Sequence, residues 1–285
     1  MSTTNFYFGR IHFDHQLESL DDFPDSEDYE QTQRVRELLY EYISNNKPFE
    51  SVGGNEWRFG RAEKTNGYIL GKLGRVYPDE RQQFDDEVGD FIEEEDVDTD
   101  VSFFIIIPEE QIIIFNRKLR IGQTQFIDAF TDGYRKFYDL EDGLTITLLK
   151  DTVEVQRLLS EASRIFFVEF DLIPTNPEAD EEMQIIDDRI HEMGADRVGI
   201  SAESEDELDA DDPWIRSGFA MSNGGYGEYK VGYEKDGEEE EYNSRNRPAT
   251  YETDEPDTLG GLKSKVGEIQ ERMETILSRG ERDEE

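Results

Sequence analysis

The segment Val101–Gly122, VSFFIIIPEEQIIIFNRKLRIG, contains two runs, Phe103–Ile107 and Ile112–Phe115, in which every residue is apolar. Neither run alternates. Continuous apolar strands of this length suit positions covered on both faces of a sheet. Pro108, Glu109 and Glu110 supply the bend between them. The two runs are therefore read as one hairpin at the centre of a layered fold. The hairpin ends in Arg117, Lys118 and Arg120, three cations within four residues.

Those cations stand out against the rest of the chain. Asp and Glu total 70 against 30 Lys and Arg, for a formal net charge of −40 over 285 residues. Aromatic residues nonetheless make up 12% of the chain, which acidic disordered chains lack. The expected arrangement is a packed interior under a very acidic surface. Such a surface repels itself at low salt, and molar salt screens the repulsion. A salt-adapted protein, of the kind halophilic archaea make, accounts for this acidity. A phosphate-like decoy of DNA is the competing account. There is no cysteine, so disulfides, thiolate metal sites and thiol catalysis are excluded. The start, MSTTNFYFGR, has no secretory pattern, and no run approaches the length of a membrane span. A cytoplasmic protein without membrane partners is expected.

Around the hairpin the pattern reads as α+β: a mixed, mainly antiparallel sheet with helices packed on it. NFYFGRIHF (Asn5–Phe13) is a first strand, and Tyr29–Ser44 is a helix with Val35, Leu38, Leu39, Tyr42 and Ile43 on one face. EWRFGRAE and GYILGKLGRVY are strands around Asn66-Gly67, a strong hairpin turn signal. Gly60, Gly71 and Gly74 mark bulges or close backbone approach. The acidic stretch 78–100 reads as loop with a short helical turn. Gln123–Tyr138 is a helix, with Phe126, Phe130, Tyr134 and Phe137 on one side. Strands at Leu144–Lys150, Arg164–Ile173 and DRVGISAE then alternate with helices. Ferredoxin-like βαβ-type units around 144–202 fit that order. Thr175 or Asn176 is read as a helix cap with Pro177 in the first turn, the helix stopping at Gly194. Asp236-Gly237 turns a hairpin, and Leu259–Arg279 is a final helix. Two parts are expected, 1–100 with its acidic insertion and 101–285, with one continuous domain as the alternative.

The search for chemistry returns little. His12 and His15 flank Asp14, and His191 is distant; zinc usually takes three or four N or S ligands, so a surface histidine pair is the preferred reading. No phosphate loop, nucleophile elbow or dinucleotide fingerprint stands in its required context. No catalytic residue, metal or cofactor is assigned, and a non-enzymatic protein is expected. The cations are grouped, however: Arg58 and Arg61; Arg117, Lys118 and Arg120; Arg135 and Lys136; Arg245 and Arg247. Arginine forks suit phosphate, so these nine residues form the candidate nucleic-acid contact. The competing reading is that they pair with the acids around them.

The order of the segments FYFGRIHF, GYILGKLGRVY, FFIIIPEEQIIIFNRKLRIG and RIFFVEFDLIPTNPEADEE resembles a family of small proteins from bacterial and archaeal mobile-element and phage-defence loci. It is more distantly similar to the A component of the lambdoid Rex phage-exclusion system. The acidic insertions 78–100 and 203–212 depart from that pattern. The resemblance implies a role in antiviral defence through nucleic-acid sensing or binding. It carries no catalytic motif. A homo-oligomer and an operon-encoded protein partner are further expectations. The alternatives are an acidic protein–protein adaptor, a DNA-mimic inhibitor and a metal-dependent nuclease.

Overall fold

A computed structural model describes residues 2–13, 28–51, 53–65, 67–85, 90–140, 143–175 and 181–278. The elements run β1 (Thr3–Phe13), α1 (Asp28–Ile43), β2 (Phe49–Glu50), β3 (Glu56–Phe59), β4 (Glu63–Lys64), β5 (Ile69–Asp85), β6 (Asp90–Ile107), β7 (Ile112–Asn116), α2 (Gln123–Tyr138) and β8 (Leu144–Leu148). They continue with α3 (Thr152–Glu161), β9 (Arg164–Leu172), α4 (Gln184–Met193), β10 (Val198–Glu203), α5 (Pro213–Met221), β11 (Gly227–Lys235), β12 (Glu238–Asn243), β13 (Thr250–Asp254) and α6 (Leu259–Ser278). This is the expected α+β class, with antiparallel pairing dominant. The chain divides into two compact units. The first comprises Met1–Phe6, Phe13–Thr145 and Glu252–Ser264; the second comprises Tyr7–His12, Ile146–Tyr251 and Lys265–Glu285. The region around residue 100 lies within β6, inside the first unit.

In the first unit the apolar hairpin is β6 and β7, paired Phe104 to Phe115 through Ile107 to Ile112. Every residue of β7 is buried, as the absence of alternation requires. Strand order runs β7-β6-β5-β3-β2, so the hairpin is interior to the sheet, with β1 beside β7. Gln111 closes the bend in a left-handed conformation (φ 51°), its N–H donating to Pro108 O at 3.2 Å. Asn116 is fully buried and fully used: its Oδ1 accepts from Phe103 N (2.7 Å), and its carbonyl accepts from the Ser102 hydroxyl (2.6 Å). Residues 78–85 and 90–100, in the stretch expected as loop with a short helical turn, are instead the far end of a long β5–β6 ladder, in register from Ile69–Ile106 to Asp85–Asp90. Neighbouring-strand pairing overrides the poor strand propensity of its acids.

Helices α1 and α2 bring aromatic rings onto this sheet. Tyr42 meets Phe59 and Phe130 edge-on at 4.8 and 5.3 Å, and its hydroxyl donates to Phe130 O at 2.7 Å. Phe104 packs edge-on against Phe130 at 5.8 Å, and Phe115 stacks on Phe126 at 4.1 Å. Gly71 permits this layer, because a Cβ there would lie 2.2 Å from the Phe104 ring. The expected close backbone approach is therefore to a side chain. Asn66, of the turn signal, lies outside the described residues, although β4 and β5 pair as that turn requires.

In the second unit four antiparallel strands run β10-β9-β11-β12. Val168, Phe170, Leu172, Tyr229 and Val231 point to one side and form a core with Ile186, Ile190, Ile215 and Phe219 from α4 and α5. The ferredoxin-like expectation is corrected. The strands flanking α4, β9 and β10, pair side by side and antiparallel, so α4 closes a hairpin-like connection rather than a parallel crossover. Asp212 caps α5 by accepting from Trp214 N (2.9 Å), with Pro213 in the first turn. Helix α4 begins at Gln184, later than expected. Thr175 does not cap it; its N–H and hydroxyl both donate to the buried Asp187 carboxylate, at 2.7 and 2.7 Å. Asn176 and Pro177 lie outside the described residues. Asp236 and Gly237 turn the β11–β12 hairpin with φ of 56° and 85°, as the sequence predicts.

Candidate nucleic-acid interface

The cations that end the apolar hairpin sit on a tight turn in the first unit. Lys118 N donates to Ile121 O at 3.0 Å, and Ile121 N returns to Lys118 O at 3.3 Å. The turn is anchored on three sides. Arg117 N donates to Asn5 O (3.2 Å), and the Lys118 ammonium pairs with Glu255. Arg75 Nη1 and the Tyr77 hydroxyl, both on β5, donate to Arg120 O at 3.2 and 3.1 Å. These anchors leave Arg117, Leu119 and Arg120 facing water, while Ile121 is buried. Leu119 is 91% exposed. Arg117 is exposed, and among the described residues its guanidinium has no partner.

Arg120 lies over the Tyr77 ring at 4.9 Å and pairs with Asp98 at 3.0 Å. Arg75 lies over the same ring at 4.7 Å, and its Nη2 donates to Asn55 Oδ1 at 2.5 Å. Two guanidiniums thus share one phenol, each contact contributing about 0.5–1 kcal/mol at such an exposed site. Desolvation raises the Tyr77 pKa, with Asp100 adding to it against the two arginines, so the hydroxyl remains a donor. Arg75, Tyr77 and Asp98 escape a reading based on runs of cations. Arg75 and Tyr77 stand two apart, so they share a strand face, and that spacing was the available signal.

The side chains of Arg58, Arg61, Arg135, Lys136 and Arg245 are engaged with acids or carbonyls. Arg58 pairs with Glu56 (2.8 Å), Arg61 with Glu63 (3.6 Å) and Arg135 with Asp132 (3.6 Å). Lys136 donates to the Glu50 carbonyl. Arg135 and Lys136 occupy the last turn of α2, where a helix end favours cations. In the second unit Arg245 Nε donates to Glu228 at 2.7 Å, and the backbone N–H of Arg247 donates to Ser244 O at 3.1 Å. Pairing with neighbouring acids is thus the common fate of these cations, Arg120 with Asp98 among them, and Arg117 and Arg120 are the exposed ones on the turn.

The open face of the second unit's sheet is ionic. Lys230 is opposite Glu169 and pairs with it at 3.2 Å; Asp171 is opposite Glu228, and Arg197 and Arg245 clamp one each. Lys150, 2% exposed, approaches Glu228 at 3.8 Å, and burial pushes its pKa down to about 8. His12 corrects an expectation. It is buried on β1 rather than at the surface, and its Nε2 lies 2.8 Å from Gly225 O, so that nitrogen carries the proton. Burial lowers its pKa to about 4. Asp14 and His15 lie outside the described residues. No group of three or more metal-ligating side chains converges among the described residues. No described helix is long and apolar enough to cross a membrane.

No curated protein matches the sequence. One family model does, over residues 14–271, a span that takes in the β5–β7 sheet, the anchored turn and the four-stranded sheet of the second unit. The chain therefore belongs to the family described as a domain of unknown function, DUF4747.

Proposed function

We propose that the protein binds nucleic acid through the 117–121 turn, as a non-enzymatic component of antiviral defence or of a mobile element. The observation that carries this reading is the turn itself. Its backbone is fixed from three sides while Arg117, Leu119 and Arg120 project into water, in a chain of net charge −40. A pre-organised loop loses less entropy on binding. Arginine forks suit phosphate, and guanidinium planes and apolar side chains suit unstacked bases. Counterion release contributes little in concentrated salt, so such short-range contacts carry the affinity there. The defence setting rests on the order of segments shared with phage-defence and mobile-element proteins. The acidity is the surface of a salt-adapted protein.

Fluorescence anisotropy with labelled single-stranded DNA, single-stranded RNA and duplex DNA, from low to molar KCl, tests this. Saturable binding is expected, weakened at least about tenfold by Arg117→Glu with Arg120→Glu. Binding that ignores this double substitution would sink the proposal. A second reading, an adaptor that docks a partner protein, draws on the 91% exposure of Leu119. A stoichiometric co-purifying protein lost in Leu119→Ala, with no nucleic-acid binding at any salt, would favour it.

A further inference from the structure

A shallow cleft of about 440 Å³ opens on the first unit, between the end of α1 and the β3–β4 connection. Its volume lies within the range of small-molecule sites. It shares no residue with the 117–121 turn. Its walls are Tyr40 and Ser44 from the last turn of α1, Asn46 just beyond, Phe59 from the end of β3, and Arg61 and Ala62 from the connection.

The chemistry of this lining is uneven in a way that orders a ligand. At one end stands Arg61, whose side chain is 81% exposed and whose only ion pair among the described residues is the long 3.6 Å contact to Glu63. The backbone N–H groups of Arg61 and Ala62 make no backbone hydrogen bond among the described residues. Gly60, before them, is fixed by its N–H to Lys72 O at 2.9 Å. This end offers donors and positive charge. Lys64, outside the lining, lies 4.8 Å over the Tyr40 ring and is paired with Glu37 at 2.6 Å, so it leaves the charge of the cleft to Arg61. At the other end α1 terminates, and the last carbonyls of a helix carry partial negative charge. The side chains of Ser44 and Asn46 stand there, exposed and without a partner among the described residues. That end accepts hydrogen bonds, and the Asn46 amide can both accept and donate. The aromatic side chains of Tyr40 and Phe59 complete the lining, Phe59 with only 4% of its surface exposed.

We propose that this cleft binds a single nucleotide. The phosphate sits at Arg61 and the Arg61 and Ala62 N–H groups, the base lies along the aromatic wall, and its hydrogen-bonding edge meets Asn46 and Ser44. The orientation follows from the helix end, which would repel a phosphate and attract exocyclic amino groups. Bases bearing an amino group, adenine, cytosine and guanine, are therefore preferred to uracil.

Calorimetric titration of the full chain in concentrated KCl with AMP, CMP, GMP, UMP and inorganic phosphate tests the inference. Binding of the amino-bearing nucleotides is expected, weaker for UMP and much weaker for inorganic phosphate. Arg61→Glu should weaken it at least about tenfold, because a charge-assisted contact is lost. Asn46→Ala should weaken AMP severalfold and reduce its margin over UMP. Both side chains are exposed, so neither substitution threatens the fold. Absence of heat with every nucleotide at millimolar concentration overturns the inference. So does phosphate binding as tightly as AMP, or an affinity that neither substitution changes. Because the probes are free nucleotides, these outcomes are independent of strand binding at the 117–121 turn.

Discussion

The two units solve the same problem with opposite materials. In the first, a sheet is covered by interlocking rings: Phe104, Phe115, Phe126, Phe130, Tyr42 and Phe59 lie within 6.2 Å centroid distances of one another in a connected chain. In the second, one sheet face is a conventional apolar core, while the other is a row of carboxylates held in check by cations. Asp171 and Glu228 face each other directly across β9 and β11, a placement that costs stability unless each is neutralised. The difference teaches where an acidic chain is sensitive to its solvent. Ring packing is indifferent to salt and pH near neutrality. Opposed carboxylates with exposed partners are not.

The largest expected effect lies on the aromatic side. Phe104→Ala empties the centre of the ring network and should cost about 3–5 kcal/mol in denaturant unfolding. The loss should be the same at low and high salt. A loss below about 1 kcal/mol would break the comparison, because the rings would then not be what holds the first unit. The second effect is one of sign. Lys150 is almost fully buried with its pKa pushed down to about 8 from an ordinary value of 10.5. Between those values the unfolded chain keeps a proton that the folded chain has released, so stability rises with pH across that window. In Lys150→Met that rise should vanish, and the variant should be more stable than the parent at neutral pH. Thermal unfolding followed from neutral pH to 10.5 reads both changes.

The smallest effect sharpens the contrast. The Arg197 hydrogen bonds hold the Asp171 carboxyl below its usual range. A lowered carboxylate pKa stabilises the fold above the unfolded value and is lost as pH falls through the folded one. Arg197→Ala should remove that acid-side loss. It should cost less than about 1 kcal/mol, because the pair is solvent-screened. The cost should be greatest at low salt, where Asp171 and Glu228 repel most strongly. Equal costs at low and molar salt would mean that the opposed carboxylates are not the source of the sensitivity.

What could be read from the chain alone follows the range of the interactions that specify each part. The β6–β7 hairpin, α2 and the Asp236-Gly237 turn are written locally, in apolar runs, a helical stripe and two residues suited to left-handed backbone. The β5–β6 extension was not legible because its acids disguise a pairing whose register is set by the apolar half, Ile69 to Leu73 against Ser102 to Ile106. Strand β13 was missed for a related reason: TYETD has little pattern of its own and becomes a strand beside β1, where Glu255 N meets Ser2 O at 2.9 Å. His12 was misjudged because its burial depends on Gly225, more than two hundred residues away. At the candidate interface the cations of the NRKLR run are visible in the sequence. Their anchoring by Arg75 and Tyr77 is not, since it joins strands whose pairing the sequence does not print.

The division of β1 has a consequence for synthesis. Residues up to Phe6 belong to the first unit and Tyr7–His12 to the second, while Glu252–Ser264 returns to the first. A ribosome adding about 5–20 residues per second needs some tens of seconds to pass from one of these segments to the other. During that interval the edge of β1 that β13 later covers is open, one strand away from the most apolar hairpin of the molecule. The nascent chain must therefore be kept from its neighbours by something other than finished structure. A dense negative charge, which begins at Asp14 and recurs through to the last residues, is a means of doing so while the chain is still being translated.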